Sequence, residues 1–132
     1  ETKMQSDPRI SYLGWQSSEE LTDILCAADI YLQPGTQSVT MQHALCCHCA
    51  IMIDDVPAHQ VYHKENGWLI SDSRPMTGHM SDASQTDVTT MQEKSYTLAR
   101  DMLDYRVLAN RVLQSDPPQS PASELGKQGQ PK

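Results

Sequence analysis

Tyr31-Leu32-Gln33-Pro34-Gly35-Thr36-Gln37-Ser38-Val39-Thr40-Met41-Gln42-His43-Ala44-Leu45-Cys46-Cys47, followed by Ala50-Ile51-Met52-Ile53, is the stretch on which the fold turns. An apolar run ends at Pro34-Gly35, a small hydroxyl-bearing turn follows, and Ser38 can cap an amphipathic helix over residues 39–47. The second apolar run then completes a strand-turn-helix-strand order, the pattern of a doubly wound sheet. Several backbone N–H groups and a helix N-terminus converge just past the first strand end, a geometry suited to phosphate.

Upstream, Arg9-Ile10-Ser11-Tyr12-Leu13 alternates polar and apolar side chains before Gly14-Trp15 and predicts a short strand. Ser17 or Ser18 can cap a helix carrying Glu19 and Glu20 in its first turn, where the positive end of the helix dipole favours carboxylates. Leu21, Ile24, Leu25 and Ala28 share one face of that helix. Strands are expected at residues 29–33 and 51–53. Met41, Ala44, Leu45 and His48 should line one face of the helix between them.

Downstream, Asp54-Asp55-Val56-Pro57 makes a turn, Pro57 suits the first position of a short helix over residues 58–63, and Asn66-Gly67 reverses the chain into a fourth strand at 68–70. Residues 71–85, with Pro75 and Gly78, read as a loop. Residues 87–113 read as one long helix or two joined ones. The fold class is therefore α/β: a Rossmann-like parallel sheet flanked by helices over residues 9–113, with fewer strands than such a sheet normally has. Residues 1–8 read as a lead-in. Residues 114–132, which contain Pro117, Pro118, Pro121 and Pro131, read as a disordered tail.

The net charge of −7 and the lack of a Lys/Arg cluster argue against nucleic acid as a partner. No apolar stretch reaches the roughly 18 residues of a membrane span, and no signal peptide stands out, so a soluble, cytoplasmic protein is expected. With two Trp, five Tyr and no Phe, the core must be aliphatic and sulfur-rich. Cys46, Cys47 and Cys49 lie too close together on one helix end to pair easily with one another, which argues against a disulfide framework.

The pieces Arg9-Ile10-Ser11-Tyr12-Leu13-Gly14-Trp15, Ser18-Glu19-Glu20-Leu21, Ala27-Ala28-Asp29-Ile30, Gln33-Pro34-Gly35, Gln42-His43-Ala44-Leu45 and Glu65-Asn66-Gly67-Trp68-Leu69-Ile70 occur in an order and spacing that resembles one known family. It is the C-terminal domain of nucleotide-sugar-dependent glycosyltransferases of the GT-B architecture, the retaining enzymes of group 1 or family 4. The resemblance covers residues 9–113 and implies a nucleotide-diphosphate-sugar donor, a saccharide or lipid-linked acceptor, a role in polysaccharide or glycoconjugate synthesis, and no cofactor. It also implies an N-terminal domain that supplies most of the acceptor site. Association with a membrane surface, where it occurs, would run through that domain, and an uncovered sheet edge would invite self-association.

Retaining members carry two glutamates eight residues apart around the glycine-rich loop; the matching positions here are Gly35 and His43, neither of them acidic. The resemblance assigns Gly35, Thr36, Gln37 and Ser38 to the donor diphosphate, Gln42 and His43 to ribose or sugar contacts, and Trp15 and Gln16 to the nucleobase. No catalytic base can be named. Gly35 allows close backbone approach, and the Thr36 and Ser38 hydroxyls with the N–H groups of residues 37–40 can donate to phosphate. Residues 34–38 also read as a plain turn and helix cap, and Trp15 as a lid on the sheet end. His48 stands where the family usually closes the helix with Gly.

Other candidates favour structural readings. Cys46-Cys47-His48-Cys49 lacks the spaced pairs of a zinc site and reads mainly as small buried residues, with no metal assigned. His59 and His63 would share a solvated helix face, Asp54-Asp55 would cap the next helix, and Asn66-Gly67 would form a turn. A non-catalytic binding or scaffold module is the competing function. A nucleotide-sugar epimerase is a third, for which no set of catalytic acids is found.

Overall fold

Ile30 pairs with Ala50 and Ile51 with Gly67, both in parallel register, which places the second strand between the other two. The computed structural model describes residues 7–114 and contains α1 (Ser18–Ala27), β1 (Ile30–Gln33), α2 (Val39–Cys46), β2 (Ala50–Asp54), β3 (Gly67–Ile70), α3 (Met76–Asp82), α4 (Gln85–Met102) and α5 (Tyr105–Gln114). The result is α/β, a small three-stranded parallel sheet flanked by helices.

The central strand explains the apolar run that marks it. Ala50, Ile51, Met52 and Ile53 are fully buried, as a strand covered on both faces requires. Ile51 and Ile53 join Met41 and Leu45 of α2, Tyr62 and Ala99 of α4 in the main cluster. Ala44, on another side of α2, meets Leu25 of α1 and Cys49 in a second cluster. Helix α2 thus serves two interfaces, which its short sequence manages by alternating Met, Ala and Leu. His48 does not join that face: it is exposed, takes a left-handed φ of 63°, and stacks on Tyr96 with ring centroids 4.0 Å apart.

Caps define the helix starts. The Ser17 hydroxyl accepts from the Glu20 N–H at 3.2 Å while Glu20 accepts from the Ser17 N–H at 2.9 Å. Ser84 and Asp87 repeat the arrangement at α4.

Four expectations are corrected. Residues 9–13 form no strand, because among the described residues no strand lies alongside to offer a ladder. Instead the Ile10 N–H bonds back to Asp7, the Arg9 guanidinium pairs with the Asp7 carboxylate at 2.7 Å, and Tyr12 and Leu13 are exposed. Residues 58–63 form successive tight turns rather than a helix, with the His59 N–H on Val56 and the Tyr62 N–H on His59, each at 2.9 Å. Residues 71–85 hold α3: Pro75 sits at its N-cap, where a missing N–H costs nothing, and the His79 ring bonds the Leu69 carbonyl at 3.1 Å. Gly67 lies in β3 rather than in a turn; Glu65, two residues before it, takes the left-handed φ of 57°, and a Cβ on Gly67 would stand 1.8 Å from the Ile51 carbonyl oxygen.

The long C-terminal helical region divides into α4 and α5 at Leu103 and Asp104. The lead-in lies outside the described residues except for residues 7 and 8, and the expected tail lies outside them except for Gln114, which ends α5. No helix among the described residues is long and apolar enough to cross a membrane.

Candidate functional site

The loop between β1 and α2 sits at the carboxyl end of the parallel strands, where open α/β sheets bind ligands. Gly35 takes φ 108°, a backbone state that L side chains rarely adopt, and its N–H donates to the Asp54 carboxylate Oδ2 at 2.7 Å. Asp54 is the last residue of β2, so the two neighbouring strand ends are tied through one charge-assisted bond. The capping role expected for Asp54 is replaced by this one.

Gln33, the last residue of β1, holds the loop from within. Its Oε1 accepts from the Tyr31 hydroxyl at 2.6 Å and from the Ser38 hydroxyl at 2.7 Å, and its amide donates to the Thr36 carbonyl. Ser38 also accepts from the Met41 N–H at 3.2 Å, the N-cap bond of α2. Gln37 and Gln42 converge on the Tyr62 hydroxyl, donating at 2.8 and 3.2 Å. The loop is thus held by three separate sets of bonds: Gly35 on Asp54, Thr36 and Ser38 on Gln33, and Gln37 and Gln42 on Tyr62.

His43 is exposed on α2, outside these sets of bonds. Trp15 is fully exposed and makes no hydrogen bond or ring contact with the loop, while the Gln16 amide donates to the Leu13 carbonyl. Full exposure sets aside the reading of Trp15 as a lid packed on the sheet end.

His59 is buried, not solvated. Its Nδ1 lies 2.8 Å from the Asp54 carbonyl, which can only accept, so Nδ1 carries the proton. Nε2 is buried and meets no hydrogen-bond partner among the described residues. His63 bonds the Gly67 carbonyl through Nε2 at 3.1 Å, so the two histidines serve separate segments. Asn66 is likewise buried: its amide donates to the Tyr62 carbonyl and to Ser95 of α4, each at 3.2 Å, and its oxygen accepts from the Lys64 N–H at 2.7 Å.

Sequence reading missed Gln33, Asp54, His59 and Tyr62 as parts of this region. A polar Gln ending an apolar strand just before Pro-Gly is the one local signal that would have found Gln33. Asp54 and Tyr62 reach the loop from 19 and 25 residues away, through pairing that no local pattern encodes.

Among the described residues no three His, Cys, Asp or Glu side chains converge as a metal site would need. An open hollow of about 810 Å³ runs along α4 between Thr86, Thr90, Lys94 and Leu98, with Lys64 beside it, and no loop residue lines it. Compared with known protein families, curated proteins and solved structures, the chain matches none.

Proposed function

We propose that the chain binds a nucleotide-diphosphate sugar at the β1–α2 loop, as the donor-binding region of a glycosyltransferase that acts on a saccharide or lipid-linked acceptor. One observation carries the reading: the Gly35 N–H, held at positive φ at a strand end, already binds an anionic oxygen, that of Asp54. A diphosphate oxygen has the same charge and acceptor chemistry. The first-turn N–H groups of α2 and the Thr36 hydroxyl would supply further donors, and fixed backbone dipoles would offset the charge that builds on the departing diphosphate. The six-piece resemblance supports the same assignment. Binding would hold the donor in place; the base is not assigned to any residue.

A two-dimensional amide NMR titration with UDP-, GDP- and ADP-sugars tests this. Saturable shifts confined to residues 34–43 with one nucleotide are expected. A dispersed spectrum that no nucleotide perturbs would overturn donor binding.

A second reading, a non-catalytic module, is favoured by the same contact seen from the other side. Asp54 occupies the Gly35 N–H, and neither Gly35 nor His43 offers the carboxylate of the retaining enzymes. Nucleotide binding without sugar transfer, in the presence of an acceptor and an N-terminal domain, would select it.

A further inference from the structure

Asn66-Gly67 is a dipeptide in which the fold needs both members. Gly67 is needed by the sheet, since a Cβ there would stand 1.8 Å from the Ile51 carbonyl oxygen. Asn66 is needed by the segment that leads into β3. Its side chain is fully buried, donates to the Tyr62 carbonyl and the Ser95 hydroxyl at 3.2 Å each, and accepts from the Lys64 N–H at 2.7 Å. Its backbone carbonyl accepts from the Ile51 N–H at 3.1 Å, and the Gly67 carbonyl meets His63 Nε2 at 3.1 Å. Asparagine is a thermolabile residue, and a following glycine leaves its side-chain amide most open to attack by the backbone, because no Cβ shields the next nitrogen.

We infer that Asn66-Gly67 is a deamidation site gated by the fold, closed in the native chain and open whenever the start of β3 comes loose. In the open chain the Gly67 nitrogen gives up its proton and attacks Asn66 Cγ. The new N–Cγ bond closes a succinimide ring, the Cγ–Nδ2 bond breaks, and ammonia leaves with that proton. Water then opens the ring at either carbonyl. The product is an aspartyl residue or an isoaspartyl residue, in which the main chain runs through Cβ and Cγ. No oxidant or reductant takes part, and the net change is one amide NH2 replaced by OH.

The native bonds hold the gate shut. Attack requires the Asn66 side chain to swing onto the Gly67 nitrogen, which gives up its hydrogen bonds to Tyr62, Lys64 and Ser95 inside the protein. The flanking chain is pinned as well, to β2 through Ile51 and to α4 through the Glu65–Lys94 ion pair at 2.8 Å. The products do not fit the native arrangement. A carboxylate at position 66 has no donor for the Tyr62 carbonyl and carries a buried charge, and the isoaspartyl form lengthens the main chain where Gly67 presses on Ile51. A single loss of structure here is therefore recorded permanently. Asn110, the other asparagine, is exposed on α5 and precedes Arg111, so it has neither the glycine nor the burial. This inference stands independently of the donor-binding reading.

The test incubates the full chain at one pH and temperature, folded in buffer and unfolded in guanidinium chloride, and follows ammonia release and peptide masses. Trypsin cutting after Lys64 and Lys94 isolates Asn66, and cutting after Arg106 and Arg111 isolates Asn110. Asn66 is expected to convert at least about a hundredfold more slowly in the folded chain, where the rate follows the population of the open state. Ser95→Ala removes one clamp and should speed conversion in the folded chain by roughly three- to tenfold, with the unfolded rate unchanged. Asn66→Asp should melt lower by at least about 10 °C. Should that variant not fold, the parent chain serves instead: deamidated in guanidinium and returned to buffer, it should fail to regain the native circular dichroism that a briefly unfolded control recovers. Equal rates in the folded and unfolded chains, Asn110 converting as fast as Asn66 when unfolded, or full refolding of the deamidated chain would overturn the gate.

Discussion

The Asp54 carboxylate accepts the Gly35 N–H at 2.7 Å, joining the end of the central strand to the loop that follows its neighbour. The bond fixes a glycine in a conformation that the rest of the chain would resist. On the donor-binding proposal it also places a negative charge where a phosphate would arrive, so that loop order and ligand entry would oppose one another at one atom. Asp54→Asn keeps an acceptor oxygen and removes the charge. If the loop binds a diphosphate, nucleotide-sugar affinity in this variant should rise by roughly three- to tenfold, with a small loss of stability of about 1 kcal/mol. Calorimetric titration and urea unfolding measure the two effects, and unchanged or weaker binding would show that Asp54 does not compete with the ligand.

Gly67 and Gly78 predict opposite outcomes for one substitution. A Cβ on Gly67 would stand 1.8 Å from the Ile51 carbonyl oxygen, backbone that cannot yield without breaking the β2–β3 ladder, whereas nothing lies within 4 Å of a Cβ at Gly78 in α3. Gly67→Ala should cost at least about 4 kcal/mol, a large part of the stability of a small domain. Gly78→Ala should stabilise by up to about 1 kcal/mol through helix propensity. Chemical denaturation followed by circular dichroism checks both, and a mild Gly67→Ala would contradict the close strand approach.

Tyr62 tests how the loop is held. Its ring belongs to the main core, while its hydroxyl accepts from Gln37 and Gln42. Tyr62→Phe keeps the ring and should cost about 1 kcal/mol. The larger effect should appear in amide hydrogen exchange, which should accelerate at residues 34–38 and hardly change in β2. Uniform exchange across both regions would mean that the hydroxyl does not organise the loop.

The sequence made the sheet legible where patterns were local. The apolar runs at β1 and β2, the Ser38 cap and the helical character of the C-terminal region all follow from periodicity and capping chemistry, while the break at Leu103 and Asp104 does not. The alternation in residues 9–13 has the same look, but a strand exists only through its neighbour, and those residues bond within their own turn instead. Pro75 and Gly78 suggest a loop, yet the proline sits at the N-cap and α3 is secured by His79 on the Leu69 carbonyl. At the site, the loop residues are readable from their types. Their partners Asp54 and Tyr62 are not, because parallel pairing and the turns of residues 56–63 bring them in from far along the chain. Polar character misled at His59 and Asn66, both fully buried through backbone bonds that composition cannot foretell.

Alkaline pH should weaken the fold through its thiols. Burial, with Cys26 as a lesser cause, pushes Cys47 from the ordinary value of 9.0 up to about 12, and burial pushes Cys49 up to about 11. In the unfolded chain both would release protons near pH 9.0, while the folded chain still holds them. Above that pH the unfolded state binds fewer protons than the native one, so stability falls as pH rises. This contribution is fully present below pH 9.0 and is lost as pH climbs through about 11 and about 12. Lys and Tyr also titrate in this window, so the comparison that isolates the thiols is with Cys47→Ser, whose hydroxyl does not ionise there. Melting curves of the reduced protein between pH 8 and 11 should decline less steeply in the variant than in the parent chain. Equal slopes would mean that Cys47 is as open to water in the folded protein as in the unfolded one.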